Sequence, residues 1–146
     1  MAAINPYLTF NGTCEAAFNF YKSVFGGEFP FIGRYKDMPP AEDGKELSPT
    51  EGELIMHVSL MIGNTPLMGS DAPGNYEGEM VTGNNVSISI NADSRDEANR
   101  VFEGLSAGGT VTMPIQDTFW GAYFGMFTDK FGINWMVNFD EVPSNA

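Results

Sequence analysis

Cysteine is nearly missing from this chain: Cys14 stands alone among 146 residues, so no internal disulfide can form and a reducing compartment suffices. Cationic residues are scarce as well. Lysine and arginine total 7 against 19 aspartates and glutamates, a formal net charge of −12. Such a balance repels phosphate backbones and anionic lipid surfaces, and excludes nucleic acid and membrane surfaces as partners. His57 is the only histidine, which leaves little imidazole for a metal centre. No apolar run approaches the roughly 20 residues of a membrane span, because Gly, Asn, Ser, Asp or Pro interrupts each one. The opening Met-Ala-Ala-Ile-Asn-Pro has neither the basic nor the apolar part of a secretion signal. A soluble, cytoplasmic protein is expected. Phosphate cradles are lacking too: the glycine-rich stretch 104–109 ends a helix instead of opening one after a strand, so it is neither a P-loop nor a dinucleotide fingerprint. No cofactor is expected.

Apolar surface is in good supply. With 42% hydrophobic and 13% aromatic residues, the chain can bury enough area to offset its ordering entropy, and its length fits one domain. The strongest pattern inside it is a twofold repeat. An offset of 81 places Asn5, Tyr7 and Thr9 on Val86, Ile88 and Ile90, Ala17 on Ala98, Phe20 and Tyr21 on Val101 and Phe102, and Val24 on Leu105. Each half opens as a strand followed by a helix. Alternation in 86–90 gives the strand, and Ala98, Val101, Phe102 and Leu105 recur at helical intervals behind a Ser94/Glu97 capping box. Gly26-Gly27 and Gly108-Gly109 end the two helices. Three more strands follow each helix, over 29–35, 54–62 and 65–70 in the first half and 110–118, 122–128 and 134–139 in the second, with Gly63-Asn64 as a hairpin turn. The reading is α+β: two tandem βαβββ modules over about 4–71 and 84–139, joined by a linker at 72–83 within a single domain. The Pro- and acid-rich stretch 36–53 is a candidate lid.

These residues carry a resemblance. Phe20-Tyr-Lys-Ser-Val-Phe-Gly26 resembles the helix signature of the vicinal oxygen chelate superfamily, which includes glyoxalase I, bleomycin-resistance proteins and dioxygenases. Asn5-Pro-Tyr-Leu-Thr-Phe10, Met56-His57, Leu67-Met-Gly-Ser-Asp71, Gln116-Asp-Thr-Phe-Trp120 and Thr128-Asp-Lys-Phe-Gly-Ile-Asn-Trp-Met136 make the chain most similar to the PhnB-like family. The resemblance implies paired modules whose curved mixed sheets enclose a cavity, usually within a homodimer. It implies no single reaction, because this fold hosts metalloenzymes and drug-binding proteins alike. Some PhnB-like domains carry a demethylubiquinone methyltransferase label, but neither Rossmann-like alternation nor a glycine loop for S-adenosylmethionine is present here.

Metal-dependent members of the superfamily hold their ion through one position on the first and one on the last strand of each module. Those positions fall at or next to Pro6 and at Met68, Ser87 and Met136. Divalent zinc, iron, manganese or nickel needs imidazole or carboxylate, and thioethers suit softer copper, so no metal of the superfamily's usual kind is expected. A centre built on His57 with Asp71 and Asp117 is the remaining metal alternative.

Alternation across 54–62 turns His57, Ser59 and Met61 toward the cavity. There His57 serves either as a general base toward a ligand or as an imidazole satisfied by a neighbouring strand or by Asp71. Trp120 either caps a flat or cationic ligand or packs on another surface. Asp71, beside Ser70 at the strand end, either meets a cationic group or binds backbone amides in a turn. Gln116 offers an amide, whereas Asp117 points away. Trp135 belongs to the core, and Cys14, near the helix cap Thr13, reads as a buried structural thiol.

Two function classes follow. The first is a metal-independent protein that binds a small organic molecule, cationic or aromatic, on Leu8, Phe10, Met68, Met136 and Trp120, with His57, Ser59, Ser70, Asp71, Ser87 and Gln116 as polar points. The second is an isomerase or lyase acting on a small carbonyl or phosphonate-related compound, with His57 as base and Arg34 as the only arginine placed to steady an oxyanion.

Overall fold

The computed structural model describes residues 2–39, 47–72 and 80–140. They form two compact units that divide between Val81 and Thr82, inside the segment read as a linker. Each unit is a four-stranded mixed sheet with one long helix on a single face, and neither sheet closes on itself.

The first unit runs β1 (Tyr7–Phe10), α1 (Cys14–Phe25), β2 (Phe31–Arg34), a 3₁₀ turn (Tyr35–Asp37), the short helix α2 (Pro49–Glu53), β3 (Ile55–Ile62) and β4 (Thr65–Asp71). The sheet order is β1-β4-β3-β2, with β1 parallel to β4 and the other pairs antiparallel. Helix α1 buries Cys14, Ala17, Phe18 and Tyr21, an i, i+3, i+4, i+7 stripe. Phe18 belongs to this stripe and Phe20 lies beside it. Phe18 lies close over Gly69 of β4, where an added Cβ would come within 2.7 Å of its ring. Gly63 turns the β3–β4 hairpin at φ +59°, a left-handed geometry that favours glycine. Of the proposed lid, 36–39 and 47–53 are held by the 3₁₀ turn, α2 and a Lys36–Glu53 ion pair, and 40–46 lie outside the described residues.

The second unit repeats the plan with β5 (Ile88–Asn91), α3 (Arg95–Ser106), β6 (Thr110–Asp117), β7 (Ala122–Thr128) and β8 (Asn134–Asp140), in the order β5-β8-β7-β6. The predicted stripe Ala98, Val101, Phe102 and Leu105 is the buried face of α3. The Ser94 hydroxyl accepts from Glu97 N–H at 3.0 Å, while the Glu97 carboxylate reaches back to Asp93 N–H at 3.1 Å. Trp135 has no exposure.

One register differs from the offset-81 expectation. Tyr7 lies opposite Met68 and Ser89 opposite Met136, so an offset of 82 relates the first strands while 81 relates the helices. A one-residue step exchanges the faces of a strand. Leu8 and Phe10 therefore point to the helix with Ile88 and Ile90, and Tyr7 and Thr9 share the open face with Ser89 and Asn91. Val86 precedes β5 and is 74% exposed.

Buried carboxylates fasten both units. Asp71, 2% exposed, accepts from the N–H groups of Gly12, Cys14 and Ile55 at 3.0, 2.9 and 2.9 Å. Asp129, 3% exposed, accepts from Phe131 N–H, Ile133 N–H and Trp135 Nε1–H at 2.8, 3.1 and 2.9 Å. Orphaning buried donors costs about 1 to 3 kcal/mol each. Asp71→Ala is therefore expected to lose at least about 3 kcal/mol of stability, read as a lower urea midpoint, with Asp71→Asn intermediate because one acceptor oxygen remains.

Candidate functional site

The two faces of each sheet have different chemistry. Toward the helix the residues are apolar and closed; away from it they are aromatic and polar and most are partly or fully exposed, with Ser59 buried among them. In the first unit the open face carries the cross-strand row Tyr7, Met68, Ser59 and Phe31. His57 and Ser70 lie on the same face, one step along β3 and β4. The His57 ring sits between two aromatic neighbours, 5.7 Å from the Tyr7 centroid and 5.7 Å from that of Phe31. The Tyr7 hydroxyl is 3.5 Å from His57 Nδ1, the outer limit of a hydrogen bond. Tyr7 and Phe31 are each 49% exposed, so their ring faces are available to a flat or cationic partner.

The second unit presents two comparable rows. Asn91, Asn138, Phe124 and Gln116 form one, and Ser89, Met136, Met126 and Met113 the other. Trp120, 55% exposed, packs edge-on against Phe124 at 6.0 Å and against the exposed Phe119 at 5.0 Å. Asn138 Nδ2 donates to Asn91 Oδ1 at 3.4 Å and to Asp140 Oδ2 at 3.3 Å.

Most of the candidate residues fall on these faces. His57, Ser59, Met68 and Ser70 share the open face of the first unit, and Gln116 and Met136 share that of the second, with Trp120 packed on Phe124 of that face. Ser87 precedes β5, half-buried. Three residues are placed elsewhere. Leu8, opposite Gly69, faces the helix together with Phe10. Phe10 is 3% exposed and packs edge-on against Phe18 of α1 at 6.3 Å, so it is core: the register of β1 turns it to the helix. Asp71 is 2% exposed and its carboxylate is engaged by three backbone donors, the turn-type role, away from the open face that carries His57. Its carboxylate takes the capping role expected of Thr13, whose side chain makes no cap bond. Tyr7, Phe31, Phe124 and Asn138 escaped sequence reasoning. For Tyr7 the signal was present, since polar and apolar residues alternate in Tyr7-Leu-Thr-Phe10.

Two further groups are removed from chemistry. The Arg34 guanidinium is clamped by the Glu15 carboxylate, the Glu53 carbonyl at 2.7 Å and the Glu53 carboxylate at 3.9 Å, and its hydrogen-bonded Glu15 partner raises its pKa further. Burial, then the nearby Asp71 and Glu15 charges, push the Cys14 thiol far above its ordinary pKa.

The open-face residues facing one another on the first and last strands are Tyr7 with Met68, Thr9 with Ser70, Ser89 with Met136 and Asn91 with Asn138. None is a carboxylate or imidazole, so this donor set does not suit a divalent zinc, manganese or nickel centre. Among the described residues no three His, Cys, Asp or Glu side chains converge.

Residues 3–137 match the profile of the Glyoxalase/Bleomycin resistance protein/Dioxygenase superfamily. The chain belongs to this superfamily. It is 32% identical to the Escherichia coli protein YjdN over 144 residues, covering 92% of this chain and 93% of that one. The crystal structure of PA1353 from Pseudomonas aeruginosa is similar at 43% identity and a TM-score of 0.82, over 96% of this chain and 98% of that one. A PhnB protein of Bacillus cereus, titled a putative 3-demethylubiquinone-9 3-methyltransferase, is 26% identical with a TM-score of 0.72, over 94% and 99% of the two chains. The chain is thus PhnB-like, as its motifs indicated, and among its described residues no helix is long and apolar enough to cross a membrane.

A buried, protonated Cys14 is a poor nucleophile. Iodoacetamide is expected to leave it unmodified in the native protein near neutral pH and to alkylate it after denaturation, as read by intact mass.

Proposed function

We propose that this PhnB-like protein binds small organic molecules on the open face of each sheet, without a divalent metal, and that cationic aromatic compounds are the preferred class. The observation that carries the reading is the contrast between faces. On the side away from each helix, large rings stand exposed beside polar groups: Tyr7, Phe31 and Trp120 with His57, Ser59, Gln116 and Asn138. Exposed aromatic faces attract cations by about 0.5 to 2 kcal/mol each, depending on desolvation, and the net charge of −12 concentrates cations near the protein.

The isomerase or lyase reading is less well supported. His57 remains available as a base, but Arg34, the arginine expected to steady an oxyanion, is committed to Glu15 and Glu53. A methyltransferase reading gains nothing from the fold either, because no doubly wound parallel sheet with a glycine loop is present among the described residues.

The test exploits the two tryptophans, of which Trp120 is exposed and Trp135 buried. Titration with tetraphenylphosphonium or a planar cationic dye is expected to quench the Trp120 emission saturably. Trp120→Phe should remove that signal for the second unit, and Tyr7→Ala and Phe31→Ala should each weaken binding to the first unit several-fold in calorimetry, consistent with the loss of about 1 kcal/mol per ring contact. Saturable binding of neutral or anionic aromatics but not of cations would overturn the preferred class. Absence of saturable binding by all three would overturn the binding reading.

A further inference from the structure

The pairing of β6, β7 and β8 brings three methionines side by side. Met113 lies directly opposite Met126, and Met126 directly opposite Met136, so the three form one row across three strands on the face away from α3. Flanking residues fix that face. Trp135 and Val137, on either side of Met136, are buried against the helix, as is Phe127 beside Met126. At Met113 the strand is irregular on both sides, with the register shifting between Val111 and Met113 and again between Met113 and Gln116. These shifts keep Met113 opposite Met126 while Gln116 stays opposite Phe124. All three methionines are half-buried. Ser89 completes the row on β5.

Directly opposed residues on antiparallel strands hold their Cβ atoms about 4.5 to 5.5 Å apart. Each methionine chain has three rotatable bonds, so three sulfur atoms can turn onto one point above the central strand. Thioether sulfur is a soft, neutral donor that binds soft cations and leaves zinc, manganese and magnesium to harder ligands. We infer that Met113, Met126 and Met136 form a thioether site for a soft monovalent cation, copper(I) in a reducing setting, on the open face of the second unit. The corresponding row of the first unit, Phe31, Ser59, Met68 and Tyr7, has one thioether and lacks this capacity. The inference does not rest on the organic-ligand reading, because its test uses no organic ligand.

Silver(I) is the probe, a redox-inert soft cation, added as nitrate to the full chain in buffer free of chloride and thiols. Calorimetry is expected to show one strong equivalent per chain. In methyl-labelled methionine spectra the signals of Met113, Met126 and Met136 should shift, while those of Met38 and Met56 stay in place. Met126→Leu, a volume-conserving change that cores tolerate, should weaken silver binding at least about tenfold, the equivalent of about 1.4 kcal/mol. Cys14→Ala and His57→Ala should leave it intact. If Met126→Leu does not fold, Met113→Leu on the edge strand takes its place. Binding that survives the methionine change, or that disappears with Cys14→Ala or His57→Ala, would overturn the assignment, as would silver binding that leaves the three methyl signals unmoved or no binding at all.

Discussion

The buried Asp71 carboxylate is the constraint on which the first unit depends. It lies at the end of β4, yet its oxygens are taken by the loop after β1, the first turn of α1 and the start of β3. Two segments distant in sequence, the β1–α1 junction and the start of β3, are thus fixed to the end of β4. A helix start needs acceptors for its free N–H groups, and here the acceptor comes from another strand instead of the local Thr13. Burial first, and then the charge of this same carboxylate, raise the pKa of the Cys14 thiol. Its backbone carbonyl accepts the Tyr35 hydroxyl at 3.0 Å, drawing the turn after β2 to the same point. Asp129 performs the parallel task in the second unit, fixing the β7–β8 turn and the indole of Trp135.

With the helix side closed in this way, the polar and aromatic side chains proposed to meet a ligand stand on the opposite face. The core of each unit is a helix stripe pressed on a sheet at a glycine: Phe18 over Gly69 and Phe102 over Gly125, where an added Cβ would lie within 2.7 and 2.6 Å of the rings. Such close approach leaves no room for a ligand beneath the helices. The half-exposed rings, amides and thioethers on the other side are the groups free to meet one. The fold itself is compatible with many reactions, so the proposed function rests on the side chains of this face and not on the fold.

Much of this was legible in the sequence because periodicity reports burial. The stripe of α3 and the bounds of β7 follow from spacing alone, and so does the core position of Trp135, since alternation with Met136 fixes its side. What failed was the step between local patterns. The offset of 81 matched the helices and was carried into the strands, where register is decided by pairing with β4 and β8 and differs by one residue. That step moved Phe10 from the predicted ligand surface into the core. Asp71 was legible as an acidic residue at a strand end, but its partners lie up to 59 residues away, and no local signal identifies such a bond. The methionine row was invisible for the same reason, because it depends on two irregular registers along β6.

Photoaffinity labelling tests the central claim most directly. A photoreactive aromatic cation, irradiated with the native protein and mapped by peptide mass spectrometry, should mark open-face residues such as Tyr7, Phe31, His57, Trp120 and Phe124. Labelling confined to the outer surfaces of α1 and α3, with those residues untouched, would contradict the assignment of function to the open sheet faces.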